Sequence, residues 1–355
     1  LGDVYKRQAK AIRKFHPEYQ ILAYNRTRDT LEDAVFDGIV DIACDEQDSK
    51  FALCDIIFLC ATVDYNIECL PWLKQIIRPG CILTDVGSVK GEIHKEITAL
   101  SMAPNFIGGH PMAGSEKTGY EHSTDHLIEN AYYILTPSEE VGLDKIGVYT
   151  ELVTSIGALP MILTFEEHDY ITAAVSHLPH VVAAALVNLV QKLDSPSEHM
   201  KAIAAGGFKD ITRIASSSPY MWQQICMENP ENISQVLDEF IRLIVQAKYL
   251  VDQHDGDGLF QMFSNSREYR DSISDTSSGP IKKEYALYCD IIDETGAIAT
   301  IATILSMNHI SIKNIGIIHN REFDEGVLKI DFYDQAAQKE AAEQLGKRNY
   351  IIYER

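Results

Sequence analysis

No Cys-x-x-Cys pair occurs among the seven cysteines, and no apolar run approaches the roughly 20 residues of a membrane span; the longest are Val181–Val190 and Ile56–Val63. The first absence excludes a zinc ribbon and a disulfide scaffold. Single thiols inside apolar stretches such as Ile57-Phe58-Leu59-Cys60 read as reduced, buried and cytosolic, which places the chain in the cytoplasm. Nor does a signal-peptide pattern open the chain. Cations are scarce, with Lys+Arg 31 against Asp+Glu 52, a net charge of −21 and a pI near 4.9. So acidic a chain repels phosphate backbones and anionic lipid, so neither a nucleic acid nor a membrane is expected as partner. An anionic small molecule remains compatible only with a pocket that gathers the few cations. What is present is ample: 355 residues, 46% of them hydrophobic, are enough for two or three cored domains.

The opening Leu1–Gln8 shows no clear periodicity and leads into a helix-like Ala9–Lys14. From there short β-like runs at Ile21–Asn25, Asp55–Thr62, Cys81–Val86, Asn105–Gly108, Ala131–Thr136 and Pro160–Thr164 alternate with helix-like segments. Continuous apolar strands separated by helices describe a mostly parallel α/β sheet, here residues 1–164. After Phe165 the β-like runs stop, and the periodic stretches through Phe263 read as an all-helical domain, residues 165–264. A polar segment ending in Ser-Ser-Gly-Pro reads as a linker over 265–281. Residues 282–355 then follow a βαββαβ order, the ferredoxin-like arrangement.

Four segments carry chemistry. Thr84-Asp85-Val86-Gly87-Ser88-Val89-Lys90-Gly91 closes a strand and opens a helix, where ligands of open α/β sheets bind; the plain alternative is a turn with a Ser N-cap. Gly108-Gly109-His110-Pro111-Met112-Ala113-Gly114 displays a histidine on a glycine-rich loop directly after a strand, suited to proton transfer near neutrality. In His177-Leu178-Pro179-His180 one ring is expected in the core and the other at a pocket, and no carboxylate or thiol at helical ligand spacing favours a metal. Finally, Gly207-Phe208-Lys209-Asp210-Ile211-Thr212-Arg213, with Trp222 nine residues on, offers a guanidinium for a carboxylate in a chain short of cations.

Taken together, these four segments resemble the prephenate dehydrogenases that carry a C-terminal ACT domain, and the resemblance runs from about Ala9 to the C-terminus. It implies a Rossmann-like dinucleotide-binding domain, a helical substrate and dimerisation domain, an ACT module, and a homodimer. The implied reaction is NAD- or NADP-dependent oxidative decarboxylation of prephenate in tyrosine biosynthesis. By the same resemblance His110 faces the ring hydroxyl of prephenate and Ser88 supports it. His180 lines the pocket, Arg213 binds a substrate carboxylate, and Trp222 helps enclose the site. Gly87, Ser88, Asn25 and Arg26 fall on the cofactor side, and Asp293, Gly296 and Ala297 border an amino-acid site expected to take L-tyrosine as feedback effector. Lys90 and Lys117 lie inside matching motifs without an assigned role.

Two departures stand out. The Gly-x-Gly-x-x-Gly turn that holds a dinucleotide pyrophosphate does not occur in Leu1–Gln8, which is expected to be a truncated or mis-joined opening. The strand end Tyr24-Asn25-Arg26 lacks the acidic residue of NAD-selective sites, and an arginine there suits a 2′-phosphate. Arogenate in place of prephenate, a non-catalytic amino-acid-binding regulator, and a β-hydroxyacid-type dehydrogenase are the alternative readings.

Overall fold

The computed structural model describes residues 2–113, 128–273, 285–291, 296–318, 326–348 and 350–353. Two compact units divide the chain, Leu1–Gly279 and Pro280–Arg355.

The first unit opens with helix α1 (Gly2–Phe15), so the aperiodic opening is helical from Gly2. Strands β1 (Leu22–Ala23) and β2 (Ile42–Ala43) flank α2 (Arg28–Phe36) and pair in parallel. Strands β3 (Ile56–Leu59) and β4 (Ile82–Asp85) flank α3 (Val63–Ile76) and also pair in parallel. Among the described residues the two pairs are not hydrogen-bonded to each other. In a doubly wound sheet of order 3-2-1-4-5-6 the two pairs fit positions 3-2 and 4-5. Helix α4 (Gly91–Ala99) leads to β5 (Ile107–Pro111), which a parallel bridge from Leu83 to Phe106 ties to β4. Strand β6 (Tyr132–Pro137) runs antiparallel to β5; α5 (Leu143–Ser155) then returns the chain to β7 (Leu159–Ile162), parallel to β6. The sheet is therefore parallel except at β5–β6. Its apolar strands bury Ile82, Leu83, Ile107 and Leu135 between helices on both faces.

His110 lies inside β5, opposite Ile134, rather than on a loop after the strand. The glycines before it answer crowding by the protein itself. A Cβ at Gly108 would sit 2.3 Å from Thr136 Oγ1, and one at Gly109 would sit 2.7 Å from the Asp85 carbonyl oxygen and 2.9 Å from the Tyr149 hydroxyl.

Helix α6 (Phe165–Thr172) begins the helical part with a complete capping box between Thr164 and Glu167. One π-type turn, Ala173–His177, joins it to α7 (Leu178–Leu193), where Pro179 withholds an N–H from the ladder. The turn has a geometric effect. Residues nine apart on an uninterrupted α-helix lie about 180° around its axis; one extra residue brings His168 and His177 within about 80°. The run Phe165–Leu193 is 29 residues long and apolar enough by length and composition to cross a membrane, but His168, Asp169 and His177 on it are buried. Helices α8 (His199–Ile203) and α9 (Gly206–Thr212), a 3-10 turn (Arg213–Ser216), α10 (Pro219–Glu228), α11 (Pro230–Asp252) and α12 (Gly256–Ser272) complete the unit. The expected linker thus begins eight residues too early: α12 continues through Ser272, started by the Asp255 side chain accepting from the Gly258 N–H at 2.9 Å.

In the second unit β8 (Tyr285–Ile291), α13 (Ala297–Met307), β9 (Ile312–Ile318), β10 (Gly326–Phe332), α14 (Gln335–Gly346) and β11 (Ile352–Tyr353) form an antiparallel sheet of order β11-β8-β10-β9. Its core gathers Leu287, Cys289, Ile301, Leu305, Leu328, Ile330 and Leu345. This is the ferredoxin-like βαββαβ arrangement.

Candidate active site

The floor of the site is a buried ion pair. Lys90 and Asp85 are both fully buried, and the ammonium contacts Asp85 Oδ2 while donating to the Gly109 carbonyl at 2.8 Å. Asp85 also accepts from the Gly87 N–H at 2.9 Å and the Gly109 N–H at 3.3 Å, so the carboxylate is satisfied on every side. Burial pushes the Lys90 ammonium down from its ordinary value, and the facing Asp85 and Asp169 carboxylates oppose that shift. These contacts hold the β4 end, the α4 start and the backbone of β5 as one piece, with His110 at its edge.

The helical part meets this piece through Asp169 and His168. Asp169 Oδ1 accepts from the Lys90 N–H at 2.9 Å and Oδ2 from the Gly91 N–H at 2.8 Å, capping α4 at the positive end of its dipole. Lys90 occupies the N-cap position and makes no side-chain cap, so the plain reading of a Ser N-cap does not hold. Asp169 Oδ1 also lies 2.8 Å from His168 Nδ1, and His168 Nε2 lies 2.8 Å from His110 Nδ1. A line therefore runs from carboxylate to buried imidazole to the half-buried His110. Burial, with added repulsion from His168, Lys90 and His177, holds the His110 imidazole well below its ordinary value, so it is neutral at pH 7.

The other wall comes from α7, α10 and α11. The buried Asn229 donates to the Asp169 backbone carbonyl at 2.8 Å and lies 3.4 Å from His177 Nδ1. His177 meets Trp222 edge-on, with centroids 6.0 Å apart, while His180 stacks on the same indole at 3.7 Å. His180 Nδ1 donates to the Ser176 carbonyl at 2.9 Å, which leaves Nε2 without a proton in the neutral ring. The Trp222 indole N–H is buried and has no acceptor among the described residues. Burial and the neighbouring Asp64 and Glu92 carboxylates push Glu228 up to about 7.

His177 is thus in the core and His180 at the wall against Trp222. Ser88 is half-buried on the turn after β4, and its hydroxyl makes no hydrogen bond to a described residue. Arg213 opens the 3-10 turn and is exposed. Asn25 Oδ1 accepts from the Thr27 N–H at 3.0 Å at the end of β1, and Arg26 beside it is exposed. Gly296, exposed and in the left-handed region at φ +94°, precedes the half-buried Ala297 at the start of α13, whereas Asp293 and Lys117 lie outside the described residues. His168, Asp169 and Asn229 are site residues that the motif reading missed. The sequence signal for His168 and Asp169 was the Thr164-x-x-Glu167 capping box, which sets them in the first turns of a helix; Asn229 had none.

A doubly wound sheet with a ligand-facing turn after β4, joined to a helical part that brings imidazoles to that turn, defines a two-domain nicotinamide-dependent oxidoreductase. Two family descriptions match in tandem: "Prephenate dehydrogenase, nucleotide-binding domain" over residues 8–161 and "Prephenate dehydrogenase, dimerization domain" over residues 164–265. The chain belongs to the prephenate dehydrogenase family. It is 36% identical to the prephenate dehydrogenase of Bacillus subtilis, over 96% of this chain and 92% of that protein. Against the Lactococcus lactis prephenate dehydrogenase the identity is 32%, over 98% and 96%. Among solved structures it is similar to the Aquifex aeolicus prephenate dehydrogenase in complex with hydroxyphenyl propionate and NAD+, at a TM-score of 0.72 and 31% identity, covering 77% of this chain and 95% of that one. Synechocystis arogenate dehydrogenase follows at 0.68 and 26%, covering 76% and 96%.

Proposed function

We propose that this chain oxidises and decarboxylates prephenate to 4-hydroxyphenylpyruvate, with His110 as the group that takes the proton of the ring hydroxyl. The observation that carries the reading is the line Asp169–His168–His110, which ends at a neutral imidazole on β5. A nicotinamide dinucleotide, when bound, would supply the acceptor for the hydride on the ring carbon that bears the hydroxyl. As that hydride leaves, the O–H bond breaks and its proton moves to His110 Nε2. The ring carboxylate departs as carbon dioxide, its bonding pair makes the ring aromatic, and His110 returns the proton to the phenolic oxygen. Atoms and charge balance with one carbon dioxide and one reduced cofactor per turnover. Arg213 supplies the fork for a substrate carboxylate, and Trp222 with His180 forms the apolar wall.

The residues present fit a nicotinamide dinucleotide at two ends. Ser88 is half-buried at the turn where the nicotinamide would lie, whereas Gly87 is buried and its N–H is held by Asp85 Oδ2 at 2.9 Å. At the far end Asn25 and the exposed Arg26 would hold the adenosine ribose, and Arg26 suits a 2′-phosphate, so we read the site as admitting NADP beside NAD. The pyrophosphate turn is not among residues 1–8, where the chain is already helical from Gly2. A homodimer through the helical part accords with the exposed Ile241, Leu243, Ile244, Val245 and Tyr249 on α11. The second unit, with Gly296 and Ala297 at the start of α13, is proposed as an ACT module that takes L-tyrosine.

The test is a four-way assay, prephenate or arogenate with NAD or NADP, on this chain and on a version carrying an opening strand and a Gly-x-Gly-x-x-Gly turn before α1. Reduced cofactor formed from prephenate, at least by the extended version, is the expected result. Turnover of arogenate alone, or of neither substrate by either version, would refute the assignment.

A further inference from the structure

We infer that His168 and Asp169 are positioning residues that set the tautomer of His110 and so keep its Nε2 lone pair bare toward the substrate. The inference rests on His110 being the proton acceptor, and it follows from counting donors along the line. Asp169 Oδ1 and Oδ2 already accept backbone N–H groups from Lys90 and Gly91, so the carboxylate faces His168 as an acceptor. At 2.8 Å from that oxygen, His168 Nδ1 must carry the hydrogen; a bare nitrogen there would set lone pair against lone pair. The neutral ring of His168 then has a bare Nε2. At 2.8 Å from it, His110 Nδ1 must in turn be the donor. A neutral His110 whose proton sits on Nδ1 has none on Nε2, which is the basic atom the chemistry needs.

The arrangement also serves the charged state. When His110 Nε2 takes the hydroxyl proton, the Nδ1–H donor belongs to an imidazolium, its bond to His168 strengthens, and the Asp169 carboxylate at the far end balances the charge. Asp169 is held for this role by the start of α4, while the capping box at Thr164 fixes the turn that carries both residues. The sheet part therefore contributes the base, and the helical part chooses its tautomer.

The experiment uses the full chain labelled with ¹⁵N-histidine, observed by two-bond ¹H–¹⁵N correlation, with His110→Asn identifying the His110 signals. A protonated Nδ1 and a bare Nε2 on His110 are expected. His168→Phe, which keeps a buried ring but offers no acceptor, is expected to give a mixture of His110 tautomers. It should lower kcat about 10–100-fold, below the full effect of an acid–base group, with KM for prephenate nearly unchanged. His168→Gln, whose side-chain oxygen can accept from His110 Nδ1–H, is expected to restore the single tautomer and most of kcat. A His110 ring protonated on Nε2, or an unchanged tautomer and kcat in His168→Phe, would overturn the inference. The spectrum is read without substrate or cofactor, so a wild-type rate in His110→Asn would refute the proton-acceptor role separately from the tautomer.

Discussion

Replacing Lys90 by Met tests whether the floor of the site is held by charge. Both partners of the Lys90–Asp85 pair are 0% exposed, and Met keeps the length and the apolar stem while removing the ammonium. Asp85 would keep only the Gly87 N–H at 2.9 Å and the Gly109 N–H at 3.3 Å, leaving an uncompensated carboxylate in the interior. Breaking a buried pair from one side costs about 3–5 kcal/mol. At about 2–4 °C per kcal/mol for a domain of this size, the melting temperature should fall by roughly 6–20 °C. The Gly109 carbonyl loses its 2.8 Å donor in the same variant, so the β5 backbone that carries His110 should shift and kcat should fall with stability. Adding Asp85→Asn removes the orphaned charge and should recover most of the melting temperature, because replacing both partners is far cheaper than removing one. Thermal unfolding by circular dichroism, with parallel turnover assays, reads both effects. A single variant that melts within about 2 °C of the parent, or a double variant no better than the single, would refute the reasoning.

Gly109→Ala places a methyl 2.7 Å from the Asp85 carbonyl oxygen, and the resulting strain should cost about 1–3 kcal/mol in urea titrations; an unchanged midpoint would mean that β5 moves freely. Burial holds His94 down to about 3 and His177 to about 4, so the folded chain keeps both neutral while the unfolded chain takes protons below about 6.5. Their contribution is complete above about pH 6.5 and is lost as pH falls toward 4, at about 1.4 kcal/mol per pH unit for each ring. Unfolding free energies at pH 7 and 5 should show a slope of this sign, to which the buried His110 adds, and His94→Gln should lessen it by about one ring's share; an unchanged slope in that variant would contradict the burial argument. Arg213→Ala should raise KM for prephenate by about 10-fold or more with little change in kcat, as loss of a charge-assisted bond to a carboxylate requires, and an effect confined to kcat would exclude the clamp.

The strands that build the site were legible because two-sided burial writes itself as apolar runs: Asp55–Thr62 and Cys81–Val86 became β3 and β4. His110 was legible as a residue but not in its setting. Gly108 and Gly109 read as a glycine-rich loop, whereas they crowd against Thr136 and Asp85, 28 and 24 residues away, which no local pattern announces. His168 and Asp169 stand in Glu166-Glu167-His168-Asp169-Tyr170, a stretch that reads as a solvated helix face until the fold buries it against α4. The linker reading failed for the opposite reason. The last turns of α12 carry exposed Tyr269 and polar neighbours, and composition does not separate a solvated helix from an extended segment.

The most direct measurement is the pre-steady-state and steady-state turnover of prephenate by the His110→Asn variant, with KM determined alongside. A fall of about 10²–10⁴ in kcat with KM within a few-fold of the parent is expected if this imidazole takes the hydroxyl proton. A parent-like kcat would show that the proton leaves by another route and would remove His110 from the centre of the site.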